Sequence, residues 1–557
     1  MMRHFFIPLF ALMTTVASAQ TGSEREPVSY IGGEICNPRL HDGGLAYAIG
    51  AENVQVMRAN RTHPDEADGY GWTYNHAANI TYWHGKFYLE YLSNPVDEQQ
   101  PPGQTLLVTS DDGRHWSKPF VAFPPYQAPK GVTIPKPYYG YIMHQRMGFY
   151  TAPNGRLLVV AFYGHSYNPF KEGGIGRVAR EIKPDGTMGP IYFIRYSSHA
   201  QWNETNTAYP FYTKSKDKGF REACQALLGD KLKTLQWIDE DRGLDGFYNL
   251  KDSINRVQAT SYYHRKDGKT VALWKWSYAA LSPDDGKTWS TPVRIPSLIM
   301  ASLALGDATH VAGTEVLVLT HEPSGRHLAM HHAHRVVGDA VVAADGDERI
   351  AIGLGLYRVV ADGISPVGTG PVDDNFDNIK PHGAVTDWNI YRPRWADVYV
   401  NDSHQLCLAD SDRYDYARAI RVFEAKAKTS ISLDVQVAAE NDDPFEVDVT
   451  DRHGVRIVCV SLHGGKVVAN GEAVGSYKQG EWLKLKIRIV DGGVEVQGHK
   501  LLAMHSAQHP ERLSLRTGEY RDLPNRNTPN QEKCPPLPGC DERIAPAMYI
   551  IDNVRVD

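Results

Sequence analysis

Along most of the chain, apolar and polar residues alternate in the two-residue rhythm of β-strands, in short runs separated by turns containing Gly, Pro, Asn or Asp. The stretch YIMHQRMGFYTAPNGRLLVVAFYGHSYNPFKEGGIGRVAR, from Tyr141 to Arg180, sets the pattern. An apolar run opens at His144, Pro153-Asn154-Gly155 supplies turn chemistry, and Leu157 to Phe162 returns the strand to Tyr163-Gly164-His165. Antiparallel pairing predicts that His144, Tyr163 and His165 finish together, at the end opposite the turn.

The same grammar recurs upstream in NHAANITYWHGKFYLEYL and downstream in NRVQATSYYHRKDGKTVALWKW. His76, His144 and Arg256 each precede a tyrosine (Tyr82, Tyr150, Tyr262) by six residues, an even offset that predicts one shared strand face. Self-similarity at roughly 50 residues in an all-β background predicts blades arranged radially, seven preferred and six allowed. The first strand of a blade lines the axis, so His76, His144 and Arg256 would converge on one mouth.

Two regions break this rhythm. Between Asp217 and Arg242, the apolar positions Phe220, Cys224, Leu227, Leu228, Leu232 and Leu235 follow a helical period and predict an excursion on the rim or over the mouth. From about Trp388 onwards, ISLDVQVAA, FEVDVTD, VRIVCVSL and WLKLKIRIV predict a jelly-roll β-sandwich, fed by a Gly/Pro/Asp-rich linker around 368–383. The expected organisation is a signal peptide over 1–19, a β-propeller over 28–380 and a β-sandwich over 388–557. The sandwich is read as a brace for the propeller rather than a sugar binder, because no cluster of outward aromatics stands out in its strands.

Length, charge and cysteines narrow the picture. A chain of 557 residues exceeds what one core usually holds, in keeping with two domains. Arg3 and His4, the short apolar core Phe5 to Met13, and Ala17-Ser18-Ala19 predict a cleavable export signal and a secreted or periplasmic protein. No later run approaches membrane-spanning length, so no membrane insertion is expected. The formal charge of −6, without a basic stripe, gives no footprint for nucleic acid. The six cysteines are scattered and suggest neither a disulfide scaffold nor a zinc cage; Cys534 and Cys540, flanking a Pro-rich loop, invite a local bridge.

Two short motifs sharpen the propeller reading. Ser282-Pro283-Asp284-Asp285-Gly286-Lys287-Thr288-Trp289 fits the Asp-box pattern, and Thr109-Ser110-Asp111-Asp112-Gly113-Arg114-His115-Trp116 is a close variant. Each predicts a tight hairpin in which Asp accepts backbone N–H groups, Gly takes a positive φ and Trp packs beneath the loop. If each joins the third and fourth strands of a blade, it lies away from His144 and is structural.

On these Asp boxes, together with GWTYNHAANITYWHGKFYLEYLSNP, PPGQTLLVTSDDG, GGIGRVARE and GPIYFIRY, about two thirds of the chain resembles sialidase-like propeller enzymes that attack rhamnose–uronic acid linkages. That group includes ulvan lyases and the lyases and rhamnosidases acting on rhamnosyl-α-1,4-glucuronate caps. The resemblance implies a secreted polysaccharide lyase that cleaves a uronic-acid-containing glycan by β-elimination, with no cofactor in the chemical step. A structural calcium is compatible with such a fold, although no ligand cluster is legible in the sequence.

Elimination builds enolate-like charge beside a carboxylate, so cations must hold the carboxylate while a base takes the C5 proton and an acid protonates the leaving oxygen. The candidate proton carriers are His144, His165 and Tyr163. The candidate carboxylate clamps are Arg146, Arg177, Arg180 and Arg256, since guanidinium pairs bidentately with carboxylate. His76, Tyr209 and Lys275 join the binding set by blade position, whereas Arg195 is expected to be structural. Arg177 and Arg180, following GGIG, are expected on a top-side loop. A glycoside hydrolase remains open. For a rhamnosidase, His63 on the opposite propeller face is the candidate; a sialidase is disfavoured because the one R-I-P motif, Arg294-Ile295-Pro296, falls late in the chain. A non-catalytic glycan-binding propeller also remains open.

Overall fold

The computed structural model describes residues 52–96, 101–133, 140–143, 148–164, 175–196, 202–237, 259–264, 268–274, 278–294, five short strands between 335 and 366, and 371–557 except 453, 491–492, 506–508 and 520–537. The expected signal peptide, His144, Arg146, His165, Arg256, Lys275 and Cys534 lie outside these residues.

The protein is nearly all-β, with an N-terminal propeller and a C-terminal sandwich. After β1 (Glu52–Arg58), the first blade is β2 (Tyr74–Trp83), β3 (Lys86–Asn94), β4 (Gln104–Ser110) and β5 (Phe120–Phe123), hydrogen-bonded in chain order. The second contains β6 (Ile142–Met143) and β7 (Gly148–Thr151), both paired to β8 (Leu157–Gly164), then β9 (Ile175–Ile182) and β10 (Tyr192–Tyr196). Helix α1 (Lys218–Gly229) precedes the third blade, β11 (Ala259–His264), β12 (Thr270–Trp274), β13 (Tyr278–Ser282) and β14 (Val293–Arg294). Further strands follow at β15 (Arg335–Val337), β16 (Ala340–Val342), β17 (Arg349–Leu354), β18 (Tyr357–Val360) and β19 (Gly363–Pro366).

Both Asp boxes join the third and fourth strands of a blade, as the sequence predicted. Asp284 Oδ1 accepts the Thr288 amide at 2.8 Å, Ser282 Oγ accepts the Gly286 amide at 2.8 Å, and Gly286 adopts φ 81°. In the variant box, Asp112 Oδ1 accepts the amides of Arg114 and His115, each at 2.8 Å, and the Trp116 indole donates to Gly113 O. The first box leaves β4 beside Phe87 and Tyr82, at the end of the blade opposite Asn75 and His76.

Strand facing departs from the sequence expectation in one instructive way. His76 pairs with Leu92 and Tyr82 with Phe87, five residues apart on β3, because a bulge at 77–78 inserts an extra residue into β2. His76 and Tyr82 therefore lie on opposite faces, not the shared face that their even spacing predicted. The helix is also relocated. Asp217 caps α1 by accepting the Phe220 amide at 3.1 Å, while the Asn154 side chain donates to Gly219 O and Arg156 reaches Asp217 at 2.7 Å. Asn154 and Arg156 form the β7–β8 turn, and Leu232 packs against Gly286 of the second Asp box. The excursion thus lies at the Asp-box end and packs between blades, rather than over the mouth.

The sandwich comprises β20 (Val372–Asp374), β21 (Trp388–Arg392), β22 (Ala396–Val400), β23 (Leu406–Asp410), β24 (Tyr416–Val422), β25 (Thr429–Ala439), β26 (Phe445–Thr450), β27 (Arg456–His463), β28 (Lys466–Ala469), β29 (Glu472–Ser476), β30 (Trp482–Val490), β31 (Gly493–Val496), β32 (His499–Leu501), β33 (Arg512–Gly518) and β34 (Ala547–Val556). One sheet runs β17-β1-β21-β24-β33-β26-β27-β28-β29 and the other β22-β23-β34-β25-β30-β31-β32, with β20 also on β34. Between them lies a continuous apolar core including Trp388, Leu433, Phe445, Leu485 and Ile551.

The division drawn between 380 and 388 is crossed by three strands. β1 pairs parallel with β21, β17 pairs with β1 at the edge of the same sheet, and β20 pairs with β34 inside the sandwich. Glu52 of β1 joins Arg392 of the sandwich (3.0 Å) to Arg114 of the first Asp box (2.7 Å), and Arg58 is ion-paired with Asp412. Among the described residues no helix is long and apolar enough to cross a membrane.

Candidate functional site

Strand direction places the start of β2, the end of β8 and the segment after β5 at the end of the blades away from the Asp boxes. Aromatic side chains gather there. Tyr126 follows β5 and stacks on Trp202 at 5.4 Å and 20°, meets Tyr141 edge-on at 5.0 Å, and touches Tyr163 at 4.8 Å. Tyr209 lies parallel to Tyr163 at 6.4 Å, and the Ala208 amide donates to the Tyr126 hydroxyl at 2.9 Å. His76 opens β2 at this end, half-buried, with its ring 5.7 Å from Tyr74. Tyr126, Tyr141 and Trp202 were not singled out from the sequence. The signal available for Tyr126 and Tyr141 was their place beside strand ends, in PPYQAP and YYGYIMH, rather than any periodicity.

Two of the sequence-predicted residues are not at the surface of this cluster. Tyr163 is 0% exposed and donates its hydroxyl to Pro124 O at 2.7 Å. Burial pushes its pKa well above the ordinary phenol value, the opposite of what a tyrosinate base requires. Arg177 is 1% exposed, with its guanidinium sandwiched 4.2 Å from the Phe162 ring and 4.6 Å from the Trp237 ring. The register explains why they do not converge. Arg177 pairs with Phe162, next to Tyr163, so Tyr163 and Arg177 project from opposite faces of one sheet.

Arg177 and Arg180 sit within β9, not on a loop. Arg180 shares the face of Tyr163, but its Nε donates to Gly189 O and its Nη1 to Ala122 O, both at 2.8 Å, tying two blades together. Arg195, directly across from Arg177, is likewise buried. The described members of the predicted set that remain partly open at this end are His76 and Tyr209. His144 is bracketed by the pairing of Met143 with Tyr163, although the residue itself lies outside those described.

Burial acts in one direction on the phenols of this cluster. Burial raises the pKa of Tyr141, Tyr196 and Tyr209 and pushes Tyr126 up to about 12. Such hydroxyls donate and accept hydrogen bonds without taking a proton. One carboxyl was also missed: Glu90, on the same sheet face as His76, is fully buried facing the Gly148 amide of the second blade, and burial raises its pKa well above the carboxylate range. It is read from sequence as one polar residue in KFYLEYLSN, because burial on both faces of a blade leaves no periodic trace.

At the other end, His63 lies in the segment between β1 and β2, near Lys118, which follows the first Asp box. Its Nε2 is 2.7 Å from Glu542 Oε1 of the sandwich, and that hydrogen bond raises the imidazole pKa. Among the described residues, one grouping has metal-ligand spacing: Glu446, Asp448 and Cys459, in the sandwich. Arg456 contacts both carboxylates at 2.9 Å and Arg516 also contacts Glu446, so guanidinium groups supply its positive charge.

Comparison with known proteins finds likenesses for both parts of the chain. Residues 26–254 match a family model described as BT_1020-like, N-terminal beta propeller, and residues 388–532 match one described as Sialidase-like, CBM domain. A solved structure titled "Sialidase" superposes with a TM-score of 0.79 at 29% identity, covering 96% of this chain and 54% of that one. The chain thus spans about half the length of that protein. A mutant of Trypanosoma rangeli sialidase displaying trans-sialidase activity, at 11% identity, covers 92% of this chain and 97% of its own with a TM-score of 0.29. Trypanosoma rangeli sialidase in complex with sialic acid, also at 11%, covers 87% and 92% with a TM-score of 0.27; overlays this loose carry no argument. No curated protein matches the sequence.

Proposed function

We propose that the protein is an exported glycan-processing enzyme that recognises an acidic sugar and cleaves its glycosidic bond by hydrolysis at the aromatic end of the propeller. The observation that carries this reading is the likeness, across 96% of the chain, to a structure titled as a sialidase. The local chemistry is compatible with it. Half-buried Tyr141 and Tyr209 offer ring faces and neutral hydroxyls to a pyranose, and His76 offers imidazole nitrogens to a sugar oxygen. In this reading His144 and His165 are further proton carriers, and Arg146, Arg256 and Lys275 hold the sugar carboxylate.

β-Elimination on a rhamnose–uronate linkage is the second reading, favoured by the sequence motifs. It is weakened by Tyr163, whose hydroxyl is committed to Pro124 O with a raised pKa, and by Arg177 and Arg180, whose guanidiniums are engaged in packing and in backbone hydrogen bonds.

The full protein incubated with gum arabic, ulvan and a sialylated glycoprotein separates these readings. Hydrolysis releases a free acidic sugar without ultraviolet absorbance, elimination leaves an unsaturated, absorbing uronate, and a binding protein yields neither. Release of a saturated acidic sugar, falling roughly 100-fold or more in His76→Ala, is the expected result. An absorbing product, or none, overturns the hydrolase reading.

A further inference from the structure

We propose that Tyr70, Trp72, Tyr74 and His76 form an aromatic track that carries the sugars beyond the cleaved bond from the propeller mouth out over the rim of the first blade. The proposal rests on the reading that an acidic sugar is removed at that mouth. It adds the class of substrate, which is the end of a chain several sugars long rather than a small glycoside.

The four rings come from one stretch, YGWTYNH, in which aromatic residues occupy every second position. β2 begins at Tyr74, and the Thr73 amide already donates to Pro95 O at 3.1 Å, one position beyond the pairing of Tyr74 with Asn94. Burial follows the same alternation, with Thr73 and Asn75 buried and Trp72, Tyr74 and His76 partly open. The bulge at 77–78 falls after His76 and leaves this parity intact. At about 3.3 Å per residue, the run from Trp72 to His76 covers about 13 Å, the length of a few linked pyranose rings.

The inner end of the track is the candidate site and the outer end is solvent. Tyr74 packs against the cluster that contains Tyr126, Tyr163 and Trp202, and its ring lies 5.7 Å from His76. Tyr70 is 46% exposed and meets Trp72 at 5.3 Å and 41°. Trp72 precedes the first residue of β2 at the mouth end, so these two rings stand outside the blade.

The outer rings are fixed in advance of any ligand. Asp68 is buried, and its carboxylate accepts the amides of Tyr70 and Gly71, each at 2.8 Å, and of Trp72 at 3.3 Å. Gly71, at φ 71°, turns the chain between the two rings, and Arg61 Nη2 donates to Thr73 Oγ1 at 2.8 Å. A turn built on a buried carboxylate and a left-handed glycine, yet presenting an open tyrosine beside a half-open tryptophan, does little to bury apolar surface. Rings held in this way lose little freedom when a pyranose packs its C–H face on them.

Direction assigns the occupant. A terminal sugar removed by hydrolysis sits in the mouth, and whatever follows it in the chain leaves toward solvent. Tyr74, Trp72 and Tyr70 line such an exit, so the sugars on them belong to the leaving side of the bond.

The test compares chain lengths. Oligosaccharides ending in an acidic sugar are cut from gum arabic, ulvan and a sialylated glycoprotein and separated into disaccharide and hexasaccharide fractions. Each is titrated into the full protein by calorimetry, with release of acidic sugar measured in parallel. The hexasaccharides of one source should bind about tenfold more tightly than its disaccharides. Trp72→Ala should remove most of that gain and Tyr70→Ala less, while Trp72→Phe keeps it and disaccharide affinity stays within about twofold in all three. Thermal unfolding checks the fold, and Tyr70→Ala, changed at an exposed side chain, decides the matter should Trp72→Ala be destabilised. Equal binding of the two fractions, binding of neither, or a length gain that survives both alanine variants overturns the track. A length gain lost in Trp72→Ala without any release of acidic sugar leaves the track standing and counts against the hydrolase reading. Release of acidic sugar without a length gain does the reverse.

Discussion

The blades and the sandwich bury their strands in different ways. β3 and β8 are buried at almost every position, because a blade is covered on both faces by its neighbours. β25 and β30 alternate, with Leu433, Val435, Leu485 and Ile487 inward and Asp434, Gln436, Lys484 and Lys486 outward. Both domains bury polar groups: the blades carry Glu90, Asn79, Arg177 and Arg195, and the sandwich carries Asp410, Asp412, Asp443 and Arg421 around its apolar core. Alternation therefore reports which way a residue faces in the sandwich, but not in a blade.

The contrast is broken most strongly from the sandwich side. Leu485→Ala removes a fully buried side chain from a close-packed apolar layer and should cost up to about 5 kcal/mol in urea unfolding. Its neighbour Lys484→Ala, facing out, should stay within about 0.5 kcal/mol. Comparable losses at both positions would remove the distinction between the two faces.

Polar burial at the sandwich rim gives the next effect. Burial pushes Asp410 from 3.8 up to about 7, with Asp412 and Asp443 adding to it and the Asp412 amide and Asn441 opposing it. The folded protein keeps this proton where the unfolded chain has lost it. This group's contribution therefore makes stability fall as pH rises from about 4 to about 7, by on the order of 4 kcal/mol in all. Asp410→Asn should flatten that part of the pH profile and be the more stable protein at about pH 8. Parallel profiles for wild type and variant would show that Asp410 ionises normally in the fold.

In the blades, Tyr163→Phe removes one hydroxyl from a packed interface. Loss of its bond to Pro124 O should cost about 1–2 kcal/mol and leave glycan turnover within about twofold. A loss of turnover near 100-fold with little change in stability would restore Tyr163 as a proton carrier.

That prediction reverses the role its sequence suggested, for a physical reason. The hairpin, its turn and the pairing of Met143 with Tyr163 follow from local pattern and were legible. The Asp boxes were legible because side-chain-to-backbone bonds within a few residues define them. The sandwich strands were legible because one face is wet. Facing within a blade was not, since both faces are dry and one bulge at 77–78 reverses the parity that links His76 to Tyr82. The joining of β1 and β20 to the sandwich was invisible as well, because their partners lie far away in the chain.

The helix gives the smallest and most diagnostic effect. Its existence was legible in the spacing of Phe220, Cys224 and Leu227, but its position depends on Asn154 and Arg156, more than 60 residues earlier in sequence. Asp217→Ala deletes the cap on the Phe220 amide and a half-exposed ion pair with Arg156, and should cost about 1 kcal/mol. Because α1 is pinned at the Asp-box end, that loss should appear in thermal unfolding while KM and kcat for a glycan stay at their wild-type values. A helix bordering the mouth would instead transmit fraying of its first turn to substrate binding. A raised KM in Asp217→Ala at unchanged kcat would therefore move the helix, and with it the sugar, to the end of the propeller from which the Asn154 and Arg156 contacts exclude it.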